Sequence, residues 1–151
     1  MAIEDFRHRL PLRVRWAEVD MQAVVFNGHY LTYADVCLTE YWRAIGVPYP
    51  AGFAELGIDA FVRKATVEYH APARYDDELL VCGRAARLGR SSVTFAVSMF
   101  RANDTSRSLV DVELVYVCVD RRGLPAAWPQ EIRDRMRRHE AVAPAEEPSR
   151  G

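Results

Sequence analysis

A chain of 151 residues, half of them hydrophobic and 27% charged, suits one globular domain with a sizeable core. Its formal net charge of −1 argues against general nucleic-acid binding, which favours a basic surface. Three widely spaced cysteines, Cys37, Cys82 and Cys118, exclude a disulfide framework and a zinc-ligand pattern and read as buried free thiols.

Residues 1–10 read as a loose, polar leader without the pattern of a signal peptide. No apolar run approaches the roughly 20 residues of a membrane-spanning helix, so the expected location is cytoplasmic. Leu12, Val14 and Trp16 alternate with Arg13 and Arg15, as in a strand with one buried face. A loop carrying Asp20 follows, then a long helical stretch. Asn27 and Gly28 suit its N-cap, no proline occurs before Ile45, and Gly46 then Pro48 close it. Thr32, Asp35, Thr39 and Arg43 fall three or four apart and form one polar stripe. Apolar residues cover most of the remaining circumference, which predicts a buried helix. In so short a chain, only one sheet curled around the helix can bury it.

Residues 46–59 contain Gly46, Pro48, Pro50, Gly52 and Gly57 and form a turn-rich connection. Phe61, Ala65, Val67 and Tyr69 mark the apolar side of a second strand, with Arg63 the one charge on that side. Pro72 ends it, and Asp76-Asp77 turns the chain into a third strand from Leu79 to about Leu88. Gly89-Arg90 is a hairpin turn. Val93, Phe95, Val97 and Met99 then alternate with Ser92, Thr94, Ala96 and Ser98. After a turn at Asn103-Asp104, residues 109–119 are rich in β-branched residues, as a central strand is. Residues 132–139 suit a short basic helix, and residues 141–151 a disordered tail. The expectation is a single domain over residues 1–140 of α+β class. One curved antiparallel sheet of five strands wraps one long helix. Its free edge must be covered or paired, which predicts a homodimer with a continuous sheet.

Two stretches carry a family resemblance: Arg15-Trp16-Ala17-Glu18-Val19-Asp20 and Val24-Val25-Phe26-Asn27-Gly28-His29-Tyr30-Leu31. With the order of elements, they resemble the hotdog-fold acyl-CoA thioesterases of the 4-hydroxybenzoyl-CoA thioesterase group, which includes the Tol-Pal-associated thioesterases. Val67-Glu68-Tyr69-His70-Ala71-Pro72-Ala73-Arg74-Tyr75-Asp76-Asp77 and Leu88-Gly89-Arg90-Ser91-Ser92-Val93 are further matches. The resemblance covers about residues 10–135. It implies hydrolysis of an acyl-CoA by a dimer or a tetramer of dimers, with coenzyme A as part of the substrate and no separate cofactor. Asp20 falls on the family's catalytic carboxylate. Asn27 falls on the residue whose backbone N–H is the oxyanion donor, where many members carry histidine. Here a histidine stands two residues later, at His29. Gly28, His29 and Tyr30 are candidate substrate contacts.

The chemistry also follows from the residues. Thioester hydrolysis needs an activated water or a carboxylate nucleophile, and a site for the developing oxyanion. A helix N-terminus supplies unpaired N–H groups and partial positive charge, and Asp20 lies one loop away. Asp20 could equally cap its loop or pair with Arg13 or Arg15. Glu18 could form a carboxylate pair with Asp20 or a salt bridge at the strand end. Asp35 could pair with Arg63 or serve as the acid, as in related hotdog enzymes that carry it on the helix. His70 reads as structural, and Cys37 has no base placed for it. Arg87, Arg90, Ser91 and Ser92 suit the phosphates of coenzyme A, with Arg63 and Lys64 as alternatives. Tyr49, Phe53 and Leu56 are expected to line the acyl pocket. No His/Cys/Asp cluster has metal-ligand spacing. The rival readings are release of an acyl or polyketide chain from a carrier protein, and a non-catalytic acyl-CoA binding hotdog.

Overall fold

A computed structural model describes residues 1–146. Five strands, β1 (His8–Arg13), β2 (Asp59–Tyr69), β3 (Glu78–Leu88), β4 (Ser92–Arg101) and β5 (Val110–Val119), form an antiparallel sheet. Their spatial order is β1-β3-β4-β5-β2. The long helix α1 (His29–Ala44) packs on the inner face, and α2 (Ala51–Glu55) and α3 (Gln130–His139) are shorter. This is the predicted α+β architecture.

The core follows from periodicity. Val93, Phe95, Val97 and Met99 of β4 are almost fully buried, as are Tyr33, Ala34, Cys37, Leu38 and Tyr41 of α1. The helix can approach because β3 carries Gly83, where a Cβ would lie 3.1 Å from Cys37 Sγ. Gly46, at φ +85°, ends the helix, and Arg135 donates to the Ile45 carbonyl at 2.9 Å. Burial of α1 is nevertheless incomplete. Leu31 and Val36 are 38% and 42% exposed, because one sheet covers only one side of a helix.

Several expectations change. Residues 1–10 are not a loose leader: a 3-10 turn, Ile3–Asp5, leads to Phe6, which is buried with Cys82 and Phe100 on the outer face of the sheet. The first strand is His8–Arg13, with His8, Leu10 and Leu12 the more buried side. Pro11 is tolerated because β1 is an edge strand. Trp16, expected on the buried face, sits in a 3-10 turn and is 79% exposed. In β2 the register shifts between Val62 and Lys64, so a bulge at Arg63 absorbs the charge that broke the apolar side. Within the 46–59 connection, α2 forms around the buried Phe53, which meets Trp42 edge to face at 4.8 Å.

The expected disordered tail lies partly outside the described residues. Within them, β6 (Ala145–Glu146) pairs parallel with Arg87 and Leu88. β1 reaches only as far as Gly83 along β3, which leaves this edge open to β6. Glu140, at the end of α3, is half-buried: Oε1 accepts from Tyr41 Oη at 3.3 Å and Oε2 from the Ala85 N–H at 3.1 Å. Burial pushes its carboxyl up to about 7, against the Tyr41 and Ala85 hydrogen bonds and the charges of Arg84 and Arg7. Among the described residues no helix is long and apolar enough to cross a membrane.

Candidate active site

The acid loop is anchored at both ends. The 3-10 turn Trp16–Glu18 buries the Glu18 carboxylate, 8% exposed, at the foot of α1. Glu18 accepts from the Arg15 N–H at 2.8 Å, from Arg15 Nη2 at 2.7 Å and from Tyr33 Oη at 2.8 Å. Burial alone would push this carboxyl up, but the hydrogen bonds from Arg15 and Tyr33 hold it below its ordinary range. Glu18 is therefore the expected salt bridge at the strand end, and it ties the loop to the helix. The Glu18 carbonyl accepts from the Phe26 N–H at 3.0 Å, and the Val25 N–H donates to the Ala73 carbonyl at 2.9 Å, which closes the loop.

Asp20 stands inside that closure. Its N–H donates to the Val24 carbonyl at 3.0 Å, and its Oδ1 accepts from the Gln22 N–H at 2.8 Å. The turn needs a left-handed residue, Ala23 at φ +62°. The carboxylate thus caps its loop through Oδ1, and no cation pairs with it among the described residues. Arg13 pairs with Asp76 and Glu78, and Arg15 pairs with Glu18. Beyond the loop, Gly28 is the N-cap of α1. The N–H groups of Asn27 and Gly28 have no acceptor among the described residues. The Asn27 carbonyl accepts from Tyr69 Oη at 3.1 Å.

Asp20, Gln22, Asn27, Tyr30, Tyr69 and His70 share the walls of one cleft of about 260 Å³. Three of these, Gln22, Tyr69 and His70, were not in the sequence-based set. Tyr69 fixes the backbone at Asn27. His70, read as structural, lines the cleft with Nε2 2.8 Å from Asp111 Oδ2. Asp111 in turn accepts from Ser98 Oγ at 2.7 Å. Burial opposes ionisation of Asp111, and the hydrogen bonds from Ser98, His70 and Ser108 outweigh it, so the carboxyl lies below its ordinary range.

The other candidates lie apart. Gly28 adjoins the cleft as the N-cap, while His29 turns edge to face onto Phe26 at 5.8 Å and is not in the cleft wall. Arg90 and Ser91 lie in the β3–β4 turn, Ser92 opens β4, and Arg87 lies near the end of β3. Their backbone holds the 118–128 segment: the Ser91 carbonyl accepts from the Cys118 N–H and the Arg90 carbonyl from the Trp128 N–H. Strand β4, ten residues long, separates this turn from the Asp20 end by roughly 30 Å. Within one chain it therefore cannot join the acid cleft. Arg63 sits at the β2 bulge, and no ion pair joins it to Asp35 among the described residues. Asp35 instead lines a separate cavity of about 220 Å³ with Trp42, Tyr49, Phe53, Phe61 and Tyr116. Tyr49 and Phe53 are where the acyl pocket was expected, and Leu56 is not in this wall. The pocket shares no lining residue with the acid cleft. Cys37 is fully buried, and burial pushes its thiol far up. Among the described residues no three His, Cys, Asp or Glu side chains are grouped to hold a metal ion.

A curved antiparallel sheet around one central helix, with an acid loop at the helix start, defines a hotdog-fold thioesterase. The chain belongs to the thioesterase superfamily, whose family model matches residues 22–108, starting two residues after Asp20. It is 34% identical over 125 residues to the acyl-CoA thioester hydrolase YbgC of Escherichia coli O157:H7, covering 82% of this chain and 91% of that protein. In fold it is similar to the PA5185 protein of Pseudomonas aeruginosa PAO1, with a TM-score of 0.81 and 28% identity over 93% of this chain and 96% of that one. A thioesterase of Thermus thermophilus, solved with coenzyme A and Zn, gives a TM-score of 0.79 at 28% identity over 93% of this chain and 98% of that one.

Proposed function

We propose that this protein hydrolyses acyl-CoA thioesters to the free acid and coenzyme A in the cleft at the start of α1. One observation carries the reading. Among the described residues, a carboxylate with no cation paired to it and the Asn27 N–H, which has no acceptor, meet in one cleft at the start of α1. Asp20 takes a proton from a water as the water oxygen adds to the thioester carbonyl carbon. The carbonyl oxygen becomes an oxyanion, which the Asn27 N–H and the positive end of α1 stabilise. The C–S bond then breaks, and the proton passes from Asp20 to the departing sulfur. Direct attack by Asp20 on the carbonyl is the other use of the same geometry. No step calls on a cofactor beyond the substrate's own coenzyme A. The similarity to YbgC supports an acyl-CoA as the substrate.

The assembly we infer is a homodimer. Strand β2 is eleven residues long and, among the described residues, pairs only on its β5 side. Phe61, Val62 and Tyr69 are 59%, 50% and 53% exposed. A long apolar edge of this kind favours pairing with a second copy. Three buried free cysteines support a reducing, cytoplasmic compartment.

The test is a screen of acyl-CoA thioesters of varied chain length and aromaticity, reading free thiol release. Turnover of at least one member well above the uncatalysed rate is expected. No turnover of any member by folded protein would sink the acyl-CoA reading.

A further inference from the structure

The start of α1 carries no side-chain cap of its own. Its N-cap is Gly28, at φ −69° and ψ −22°, which has no side chain to offer. The Asn27 side chain makes no hydrogen bond among the described residues. Glycine has more conformational freedom than any other residue, so nothing intrinsic to this stretch fixes the Asn27–Gly28 peptide. The peptide before it is held, because the His29 N–H donates to the Phe26 carbonyl at 3.0 Å. The carbonyl and N–H of a trans peptide point opposite ways, so this bond sets the direction of the Asn27 N–H.

A side chain from another element supplies the missing restraint. Tyr69, the last residue of β2, donates its hydroxyl to the Asn27 carbonyl at 3.1 Å, across 42 positions of sequence. Among the described residues no other side chain bonds to the backbone of residues 26–28. The ring of Tyr69 is itself placed. It meets Tyr30 edge to face at 5.7 Å, and Tyr30 Oη accepts from the Ala73 N–H at 3.0 Å. The Ala73 carbonyl accepts from the Val25 N–H, so the acid loop, the first turn of α1 and the end of β2 close one frame around Asn27. Asn27 is thereby held on both of its peptide planes, by His29 on one side and by Tyr69 on the other. Its N–H keeps one orientation in the cleft wall it shares with Asp20.

We propose that Tyr69 is the positioning residue of the oxyanion site: its hydroxyl holds the Asn27 carbonyl and so keeps the Asn27 N–H aimed at the reacting carbonyl oxygen. The proposal rests on the acyl-CoA reading above and adds what orients its oxyanion donor. Tyr69 gives and takes no proton in the reaction. Its contribution falls on the transition state, where the oxyanion forms, and not on the binding of the thioester.

The test uses the full-length protein and the variant Y69F, which keeps the ring on Tyr30 and removes only the hydroxyl. kcat should fall about tenfold, the worth of one ordinary hydrogen bond, and less than the ~10²–10³ expected for deleting the donor. KM should stay within about twofold, as loss of an interaction made only in the transition state does. The pH profile of kcat should keep its wild-type shape at lower height. In an Asn27→Pro background, which has no N–H to aim, Y69F should cost nothing further. Relaxation dispersion at the Asn27 and Gly28 amides reads the motion of these peptides without needing turnover. It should show more exchange in Y69F than in the wild type. Should Asn27→Pro not fold, the kcat–KM split and the amides of Y69F decide. Wild-type kcat in Y69F would overturn the proposal, and so would amides as quiet as those of the wild type. A rise in KM that accounts for the loss would make Tyr69 a substrate ligand, and a lost limb of the pH profile would make it a proton donor. Either result overturns positioning, as does an additive loss in the Asn27→Pro background. A wild type that turns over no acyl-CoA sinks the acyl-CoA activity, and the amide measurement then decides Tyr69 by itself. Turnover by the wild type that Y69F matches sinks the role of Tyr69 alone.

Discussion

Replacing Glu140 by glutamine should remove a pH dependence from the stability of the fold. The Glu140 carboxyl meets Tyr41 of α1 and the Ala85 N–H of β3, with Arg84, Arg7, His8 and His139 around it. Burial raises it from 4.5 to about 7 in the folded chain. A group raised in the folded state stabilises fully below its unfolded value, and that stability is lost as pH rises through the folded one. Glu140 therefore favours the fold at pH 4.5 and loses this contribution by about pH 8. The shift corresponds to at most about 3 kcal/mol, or roughly 6–12 °C in Tm for a chain of this size. His8 and His139, both lowered by burial, act in the opposite direction: their contribution is lost as pH falls below 6.5. They are common to both proteins, so the difference between variant and wild type isolates Glu140. Glutamine stays neutral and can accept from Ala85 while donating to Tyr41. Thermal melts from pH 4.5 to 8 should show equal Tm values at the acid end and a more stable variant at the alkaline end. A difference that stays constant across that range would refute the reasoning.

Asn27→Ala should leave kcat nearly unchanged, because the backbone N–H remains, and cost at most about 1 kcal/mol of stability. Asn27→Pro removes that N–H and should lower kcat by ~10²–10³ with the helix retained by circular dichroism. Equal loss in both would make the side chain the functional group. Glu18→Ala leaves Tyr33 Oη without its partner and frees the loop, so about 1–3 kcal/mol of stability and much of kcat should be lost. Wild-type kcat in that variant would mean that the anchor does not position Asp20. Static light scattering at micromolar concentration should give twice the 17.2 kDa chain mass or a multiple of it. A monomer would contradict pairing through β2.

The parts of the molecule legible in the sequence are those whose physics is local. Val93 to Met99 alternate because one face of β4 is core. Asp20 and Asn27 can be paired from the sequence because Asn27 stands only seven positions on and the loop closes on itself. The bulge at Arg63 is visible there only as a charge on an apolar face, and without the partner strand its register shift cannot be inferred. His70 reads as an ordinary residue at a strand end, since its partner Asp111 lies 41 positions on and meets it only through the pairing of β2 with β5. Phe6 reads as unattached for a similar reason. The outer-face pocket it fills, between Cys82 and Phe100, exists only once β3 and β4 have paired. The Arg90 turn is assigned to the substrate on residue type alone, and strand length places it at the far end of the sheet.

The most direct measurement is kcat of the Asp20→Asn variant on the best acyl-CoA found, beside a circular dichroism spectrum of the same sample. Asparagine keeps the shape and the hydrogen bond to the Gln22 N–H but loses charge and basicity. The account predicts a fall of at least ~10² in kcat with the fold intact. Turnover near the wild-type value in a folded Asp20→Asn protein would contradict it and move the search for the acid to Asp35 and Glu18.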